Sequence, residues 1–296
     1  MAFVHLHDLI KLAETKNTSI ANVMLEVECE QSGRSKDEII QLMNRQFEVM
    51  EEAAHKGTRE PIRSRTGLTG GDAYLVQEYL KTGRSFLHPA ALQAMAYALS
   101  VNEVNAGMGR IVATPTAGSA GILPGVLISI LETGKYPRES IVMSLLTAAA
   151  LGLVIANSAS ISGAAGGCQA EIGSATAMAA GAVVEIAGGT PEQVGHAVGL
   201  ALKNSLGLVC DPVGGLVEIP CIIRNGLHAV TALAAADMAL AGVKSIIPPD
   251  EVIQAMYEIG NAMPESLRET GLGGLAATPR GKALREQVFG KPCESR

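Results

Sequence analysis

Apolar residues recur at helical spacing along most of this chain, and the strict alternation of a half-buried strand is scarce. Ile39, Leu42, Met43, Phe47 and Met50 make one such stripe. Ser35 followed by Glu38 is a capping-box pattern that opens this helix, which is expected to run to about His55. Further on, segments rich in Ala, Gly and Leu alternate with turns marked by Gly and Pro. They predict helices over about 88–106, 121–133, 138–156, 169–187, 191–208, 220–241 and 249–260. Thr190, Pro191 and Gln193 supply a cap, a proline at the first helical position and a glutamine at the third. There is no β-α alternation and no internal repeat. The expected fold class is mostly α.

Charge divides the pattern. Residues 1–60 carry 18 charged side chains, whereas residues 101–248 carry 15 over more than twice the length. The expected organisation is therefore an N-terminal extension of exposed amphipathic helices (1–60) followed by an Ala/Gly-rich helical domain with a C-terminal tail (61–296). Residues 111–131 and 140–170 have no charge at all, which raises the alternative of membrane spans. These stretches are full of Gly, Ser, Thr, Asn and Pro, and they lack asymmetric basic flanks and aromatic belts, so buried helices are the expectation and no membrane is.

Composition sharpens this picture. Hydrophobic residues make up 48% of the 296, but aromatics only 3%, and Trp is absent. Core volume must come from Ala, Leu, Ile, Val and Met, whose small members let helices approach closely. A net charge of −6 without a basic tract argues against a nucleic-acid partner. No signal-peptide pattern is present, and five cysteines do not read as a disulfide framework. A reducing, cytoplasmic setting is expected, where widely spaced cysteines are fillers, metal ligands or nucleophiles.

Cys168 and Cys221 fall at the starts of expected helices, and Cys210 at the end of one, before Asp211-Pro212-Val213-Gly214-Gly215. A helix N-terminus stabilises a thiolate, so Cys168 and Cys221 are expected to have lowered pKa values. The bland reading is that free cysteine often only fills buried space. The spacings of 42 and 11 match no compact zinc or ferredoxin pattern, and spacing alone leaves both readings open. The Thr114-Pro115-Thr116-Ala117-Gly118-Ser119 loop before a helix is a candidate carboxylate cradle through its N–H groups and hydroxyls, or an ordinary capped turn. Ser64, Arg65 and Thr66 form a second polar, Gly-flanked loop that either contacts substrate or pairs on the surface. Arg224 and Asn225 interrupt an apolar helix, where they serve substrate contact or support of the cysteines. Cys29 lies in the charged N-terminal region and reads as incidental. His88, His196 and His228 read as packing or capping residues, and His5 and His7 lie in the N-terminal segment.

Longer motifs add to this. Residues 160–173 (SISGAAGGCQAEIG) and 206–225 (LGLVCDPVGGLVEIPCIIRN) closely resemble the cluster-binding motifs of iron–sulfur-dependent L-serine dehydratases. Residues 64–71 (SRTGLTGG), 110–121 (RIVATPTAGSAG) and 271–276 (GLGGLA) fit as well, so the resemblance runs from about residue 60 to the end. The chain resembles the alpha chain of the two-chain form, which holds the catalytic half and works with a beta chain. The resemblance implies a 4Fe-4S cluster with Cys168, Cys210 and Cys221 each on one iron. It leaves the fourth iron for turnover and implies L-serine dehydration to pyruvate and ammonia. Thr114, Thr116, Ser119, Ser64, Arg65, Thr66 and Asn225 become candidate substrate contacts. Cys293, near the C-terminus, becomes a resting-state ligand of the fourth iron. The general base is implied to be a histidine of the beta chain.

Three rivals remain at this point. A transporter or a non-enzymatic helical scaffold would use the same helices without chemistry. A pyridoxal-phosphate dehydratase would need a Schiff-base lysine and a phosphate loop. Lys203 is the only lysine between Lys135 and Lys244, and it lies within an expected helix with no such loop beside it.

Overall fold

Side-chain caps decide where many of the helices begin. A computed structural model of the chain describes residues 3–290 and contains thirteen α-helices and no strand among them. The N-terminal region forms α1 (Leu6–Thr15), α2 (Ile20–Ser32) and α3 (Lys36–Arg59). Then come α4 (Asp72–Lys81), α5 (Pro89–Ala106), α6 (Ile122–Glu132) and α7 (Arg138–Ser158), followed by the single turn α8 (Gly163–Gly166). The chain ends with α9 (Ser174–Ile186), α10 (Pro191–Lys203), α11 (Cys221–Leu240), α12 (Pro249–Ala262) and α13 (Pro279–Phe289).

The two local caps expected from sequence form. Glu38 N donates to Ser35 Oγ at 3.3 Å and Ser35 N to Glu38 Oε2 at 2.8 Å. Gln193 N donates to Thr190 Oγ1 at 3.2 Å and Thr190 N to Gln193 Oε1 at 2.9 Å. Three other helix starts are capped from a distance. Asp250 accepts from Leu6 N and His7 N of α1, Glu185 from Ile20 N and Ala21 N of α2, and Glu103 from Asp72 N of α4. Each carboxylate satisfies donors that a helix start leaves free, and for Asp250 and Glu185 the charge also suits that end of the dipole.

Two helices organise the interior. α5 packs against α3, α4, α6 and α11, and α9 against α6, α7, α10 and α11. Small residues allow this crowding. A β-carbon on Gly121 would lie 2.2 Å from the Ala98 carbonyl oxygen, and one on Gly125 2.6 Å from that of Ala94, so α6 rests directly on the backbone of α5. One core cluster runs from Phe3 and Leu6 through Val126 and Val198 to Met256. Helix α7, uncharged after Glu139, contains a stretch with a mean hydropathy of 2.0 and is long enough to span a membrane, yet 61% of that stretch is buried inside the fold. It packs against α2, α3 and α9.

Two expected helices change shape near the cysteines. The helix expected over 191–208 ends at Lys203, because Gly207 turns left-handed (φ +82°) and its N–H bonds Gln169 Oε1 at 2.8 Å. The helix expected over 169–187 opens with a π turn, Gln169–Gly173, before α9. Such wide turns recur at functional sites.

Candidate active site

Gln169 starts the assembly of the site. Its backbone N–H bonds Leu208 O at 2.9 Å, and its side chain takes the Gly207 N–H and gives to Met256 O at 2.8 Å. The fully buried amide thus clasps the 207–210 loop and α12 around the adjacent Cys168. Cys210 is pinned from its other side. Its N–H bonds Leu267 O at 2.8 Å, and its carbonyl accepts from Glu269 N at 2.7 Å.

The result is a buried group in which ligand atoms of Cys168, Cys210 and Glu171 all lie within 4.8 Å of one another. Cys221, the first residue of α11, adjoins this group: Asn225 Nδ2 donates to both Cys221 O and Gly118 O, and Gly118 abuts the Glu171 carboxylate. All three thiols are nearly inaccessible. Cys210 donates to Cys168, and this bond, aided by the Arg224 charge, holds the Cys168 thiol below its usual range. The same bond and burial push Cys210 up. Cys221 departs from the sequence expectation: burial outweighs the helix start and pushes its thiol up.

Arg224 braces the group. Its guanidinium bonds Asp211 Oδ1 at 2.9 Å, Val209 O at 2.8 Å and Cys168 Sγ at 3.2 Å. Asp211 passes the brace on by accepting Leu275 N at 2.8 Å, which holds the GLGGLA segment against the cysteine loop. The pair is largely buried, so removing one partner alone would strand the other charge.

The candidate cradle loop lies alongside. Thr116 hydrogen-bonds Glu171 Oε1 and lies 3.2 Å from Ser119 Oγ, which donates to Thr114 O. A β-carbon on Gly118 would sit 2.6 Å from Glu171 Oε1, so the loop already holds a carboxylate, that of Glu171. Asn225 is fully buried and joins this loop to α11. It donates to Gly118 O at 2.7 Å and Cys221 O at 2.9 Å, and accepts from Gly121 N at 3.0 Å. Asn102 adds a second donor to Gly118 O.

The Ser64–Gly71 loop docks beside Cys221 through Glu218. Thr66 and Thr69 hydroxyls donate to this buried carboxylate at 2.8–3.0 Å, and Ser64 Oγ lies 3.2 Å from Thr66 Oγ1. Arg65 is exposed. Lys203 donates to Ser245 at the end of α10, and Cys29 packs against the core from α2. Cys293 lies outside the described residues.

Sequence reasoning did not single out Glu171, Asp211, Glu218 or Glu269. Glu171 carried a signal, being the only charged residue between Glu139 and Glu185. Burial and the nearby Glu269 charge raise its pKa. Glu269 gave none: it adopts φ +64°, a left-handed conformation that costs a residue with a side chain about 1–2 kcal/mol.

Residues that fit an iron–sulfur cluster are therefore present. Three buried thiols come from three segments, an arginine donates to one of them, and Gly163 approaches Cys210 Sγ so closely that its own β-carbon would lie 3.0 Å away. The fold and this site define an all-helical protein with a thiol-lined chemical centre. Residues 15–276 match the serine dehydratase alpha chain family, and the chain belongs to it. It is 54% identical over 294 residues to a probable L-serine dehydratase alpha chain of Bacillus subtilis, covering 99% of this chain and 98% of that one. It is 44% identical over 282 residues to the L-serine dehydratase alpha chain of Peptoniphilus asaccharolyticus, covering 95% and 97%. A longer relative, L-serine dehydratase TdcG of Escherichia coli, is 37% identical over 280 residues, which are 91% of this chain but 60% of that protein.

Proposed function

We propose that this chain is the catalytic alpha subunit of a cytoplasmic, iron–sulfur-dependent L-serine dehydratase, an ammonia-lyase that works with a beta chain. What supports the reading is the buried group of Cys168, Cys210 and Glu171, with Cys221 at the start of the adjoining α11, in a chain of the serine dehydratase family. Residues 61–296 are the catalytic part in this reading, and residues 1–60 a helical extension bracing it.

Cys168, Cys210 and Cys221 would hold a 4Fe-4S cluster. When bound, such a cluster supplies an open iron that polarises the serine hydroxyl as a Lewis acid. The chain's own groups do the rest. Arg224 keeps the Cys168 and Cys210 loops together, and its bond to sulfur favours the thiolate. Thr114, Thr116 and Ser119, whose hydroxyls bond Ala120 O, Glu171 and Thr114 O, would line the substrate side of the site as a loop fixed by Asn225. Ser64, Arg65 and Thr66 would contribute from a second loop, which Thr66 anchors on Glu218. The Cα proton leaves to a base, the hydroxyl leaves as water, and the resulting aminoacrylate becomes pyruvate and ammonia in water. The base comes from the beta chain in this reading.

Cys293 is read as a resting-state ligand. What supports it is the position of α13: a β-carbon on Gly214 would touch the Phe289 ring at 3.1 Å, so the last described helix rests on the cysteine loop. Three residues beyond Gly290 reach about 10 Å when extended.

The test is anaerobic reconstitution of both chains with iron and sulfide, followed by a pyruvate assay with L-serine. Turnover is expected, with broad absorption near about 400 nm, a general property of thiolate-bound clusters. Cys168→Ala, Cys210→Ala and Cys221→Ala should each lose iron and activity. A wild-type protein that takes up neither iron nor sulfide sinks the reading.

A further inference from the structure

Two carboxylates at the site have no counter-cation. Among the described residues neither Glu171 nor Glu269 forms an ion pair, and the Arg224 guanidinium is committed to Asp211, Val209 and Cys168. Their oxygens nevertheless converge. A β-carbon built on Gly163 would lie 3.3 Å from Glu269 Oε2, 3.4 Å from Glu171 Oε2 and 3.0 Å from Cys210 Sγ. The two acids are held there by separate means. Thr116 bonds Glu171 Oε1, leaving Oε2 toward this point. Glu269 is fixed by its backbone bond to Cys210 O, and its carboxylate has no hydrogen bond of its own among the described residues. Glu171 is itself 7% exposed, and its Oε2 makes no hydrogen bond among the described residues.

Two like charges beside buried sulfur repel each other until a cation comes between them. An α-amino acid brings one. Its ammonium has three donors and no acceptor, a match for two carboxylate oxygens that converge on one point.

We propose that Glu269 and Glu171 form the ammonium subsite of this enzyme, with Glu269 the specificity-determining residue for α-amino over plain hydroxy acids. The proposal rests on the dehydratase reading above. Glu171 is positioned by Thr116, so the loop that sequence suggested as a carboxylate cradle acts here by aiming a carboxylate. Anchoring the ammonium on the Gly163 side fixes the Cα–N bond and thereby the direction of the Cα proton and the hydroxyl.

The test uses the two-chain holoenzyme carrying Glu269→Gln, which keeps length and removes charge. Loss of a charge-assisted bond should raise KM for L-serine about 10- to 100-fold and, because the anchor aims the reacting bonds, lower kcat as well. Iron, sulfide and the visible band should stay as in the wild type. Binding of two unreactive probes is then followed through that band. D-serine, with an ammonium, should weaken by the same factor, and 3-hydroxypropionate, without one, should bind as before. Glu269→Gly relieves the left-handed backbone and serves as a second variant that keeps the fold; it should discriminate the probes in the same way. Equal weakening of both probes, an unmoved KM, or loss of iron in these variants overturns the subsite. A wild-type holoenzyme that binds D-serine far better than 3-hydroxypropionate but never turns over L-serine sinks the dehydratase reading instead.

Discussion

Cys221 shows at the scale of one residue how two physical effects compete. The start of α11 favours a thiolate, but burial disfavours it more, and the thiol is pushed up. Iron at this thiol would remove the conflict, because coordination deprotonates a thiol. Cys293 would face a different competition, with substrate for the open iron. A tethered thiolate has a high effective concentration, so in this reading it would both protect iron and delay serine. Cys293→Ala is therefore expected to keep iron and serine turnover, lose any lag in onset, and inactivate faster in air. Stopped-time assays and exposure to oxygen check this; a variant identical to wild type in lag and oxygen sensitivity removes the tail from the mechanism. Much at this scale was readable in the sequence. Long motifs marked the three core cysteines, and the lone charge of Glu171 stood in an apolar stretch. Glu269 was not readable, because it reaches the site only through the pairing of residues 267–269 with Cys210, across more than fifty residues of chain.

Elements follow the same rule: local causes were legible and distant ones were not. The capping boxes at Ser35 and Thr190 lie within four residues of sequence, and both form. α4 went unnoticed because it starts on Gly71 without a side-chain cap of its own and relies on Glu103 of α5. Gln169, equally, ends α10 early from a different segment. Glu103 makes a measurable prediction. It is 1% exposed, its Oε2 has no partner, and burial pushes its pKa up to about 7 from 4.5, with the Asp72 charge adding to the rise. The folded protein thus binds this proton more tightly than the unfolded chain. The contribution is fully favourable below pH 4.5 and is lost as pH rises through about 7. Glu103→Gln keeps an acceptor for Asp72 N and removes the charge. It should be stabilised relative to wild type at pH 8, by on the order of 1–3 kcal/mol, with the difference shrinking by pH 5. Urea midpoints at the two pH values measure this, and a difference independent of pH would assign the effect to packing instead.

At the scale of the whole molecule, the site gathers buried thiols and carboxylates, and among the described residues no histidine hydrogen-bonds any of them. His5 and His88 stand at the starts of α1 and α5, His7 is in α1, and His55 bonds Glu132. His196 lies 3.5 Å from Glu192, and His228 bonds the Arg224 carbonyl while burial lowers its pKa. A general base must reach the proton it removes, directly or through one water. The longer relatives suggest where it comes from. This chain covers 60% of the Escherichia coli protein and 59% of an L-serine dehydratase of Streptomyces coelicolor, which leaves about two-fifths of each without a counterpart here. A beta chain would supply that part. The alpha chain alone, loaded with iron and sulfide, is thus expected to bind its cluster yet form pyruvate at no more than about one-hundredth of the two-chain rate, the low end of what a general acid–base group contributes. Adding purified beta chain should restore turnover in a saturable way, with half-restoration reporting the affinity of the two chains. Full serine turnover by the isolated, loaded alpha chain would refute the need for a partner and return the search for the base to Glu171 and its neighbours.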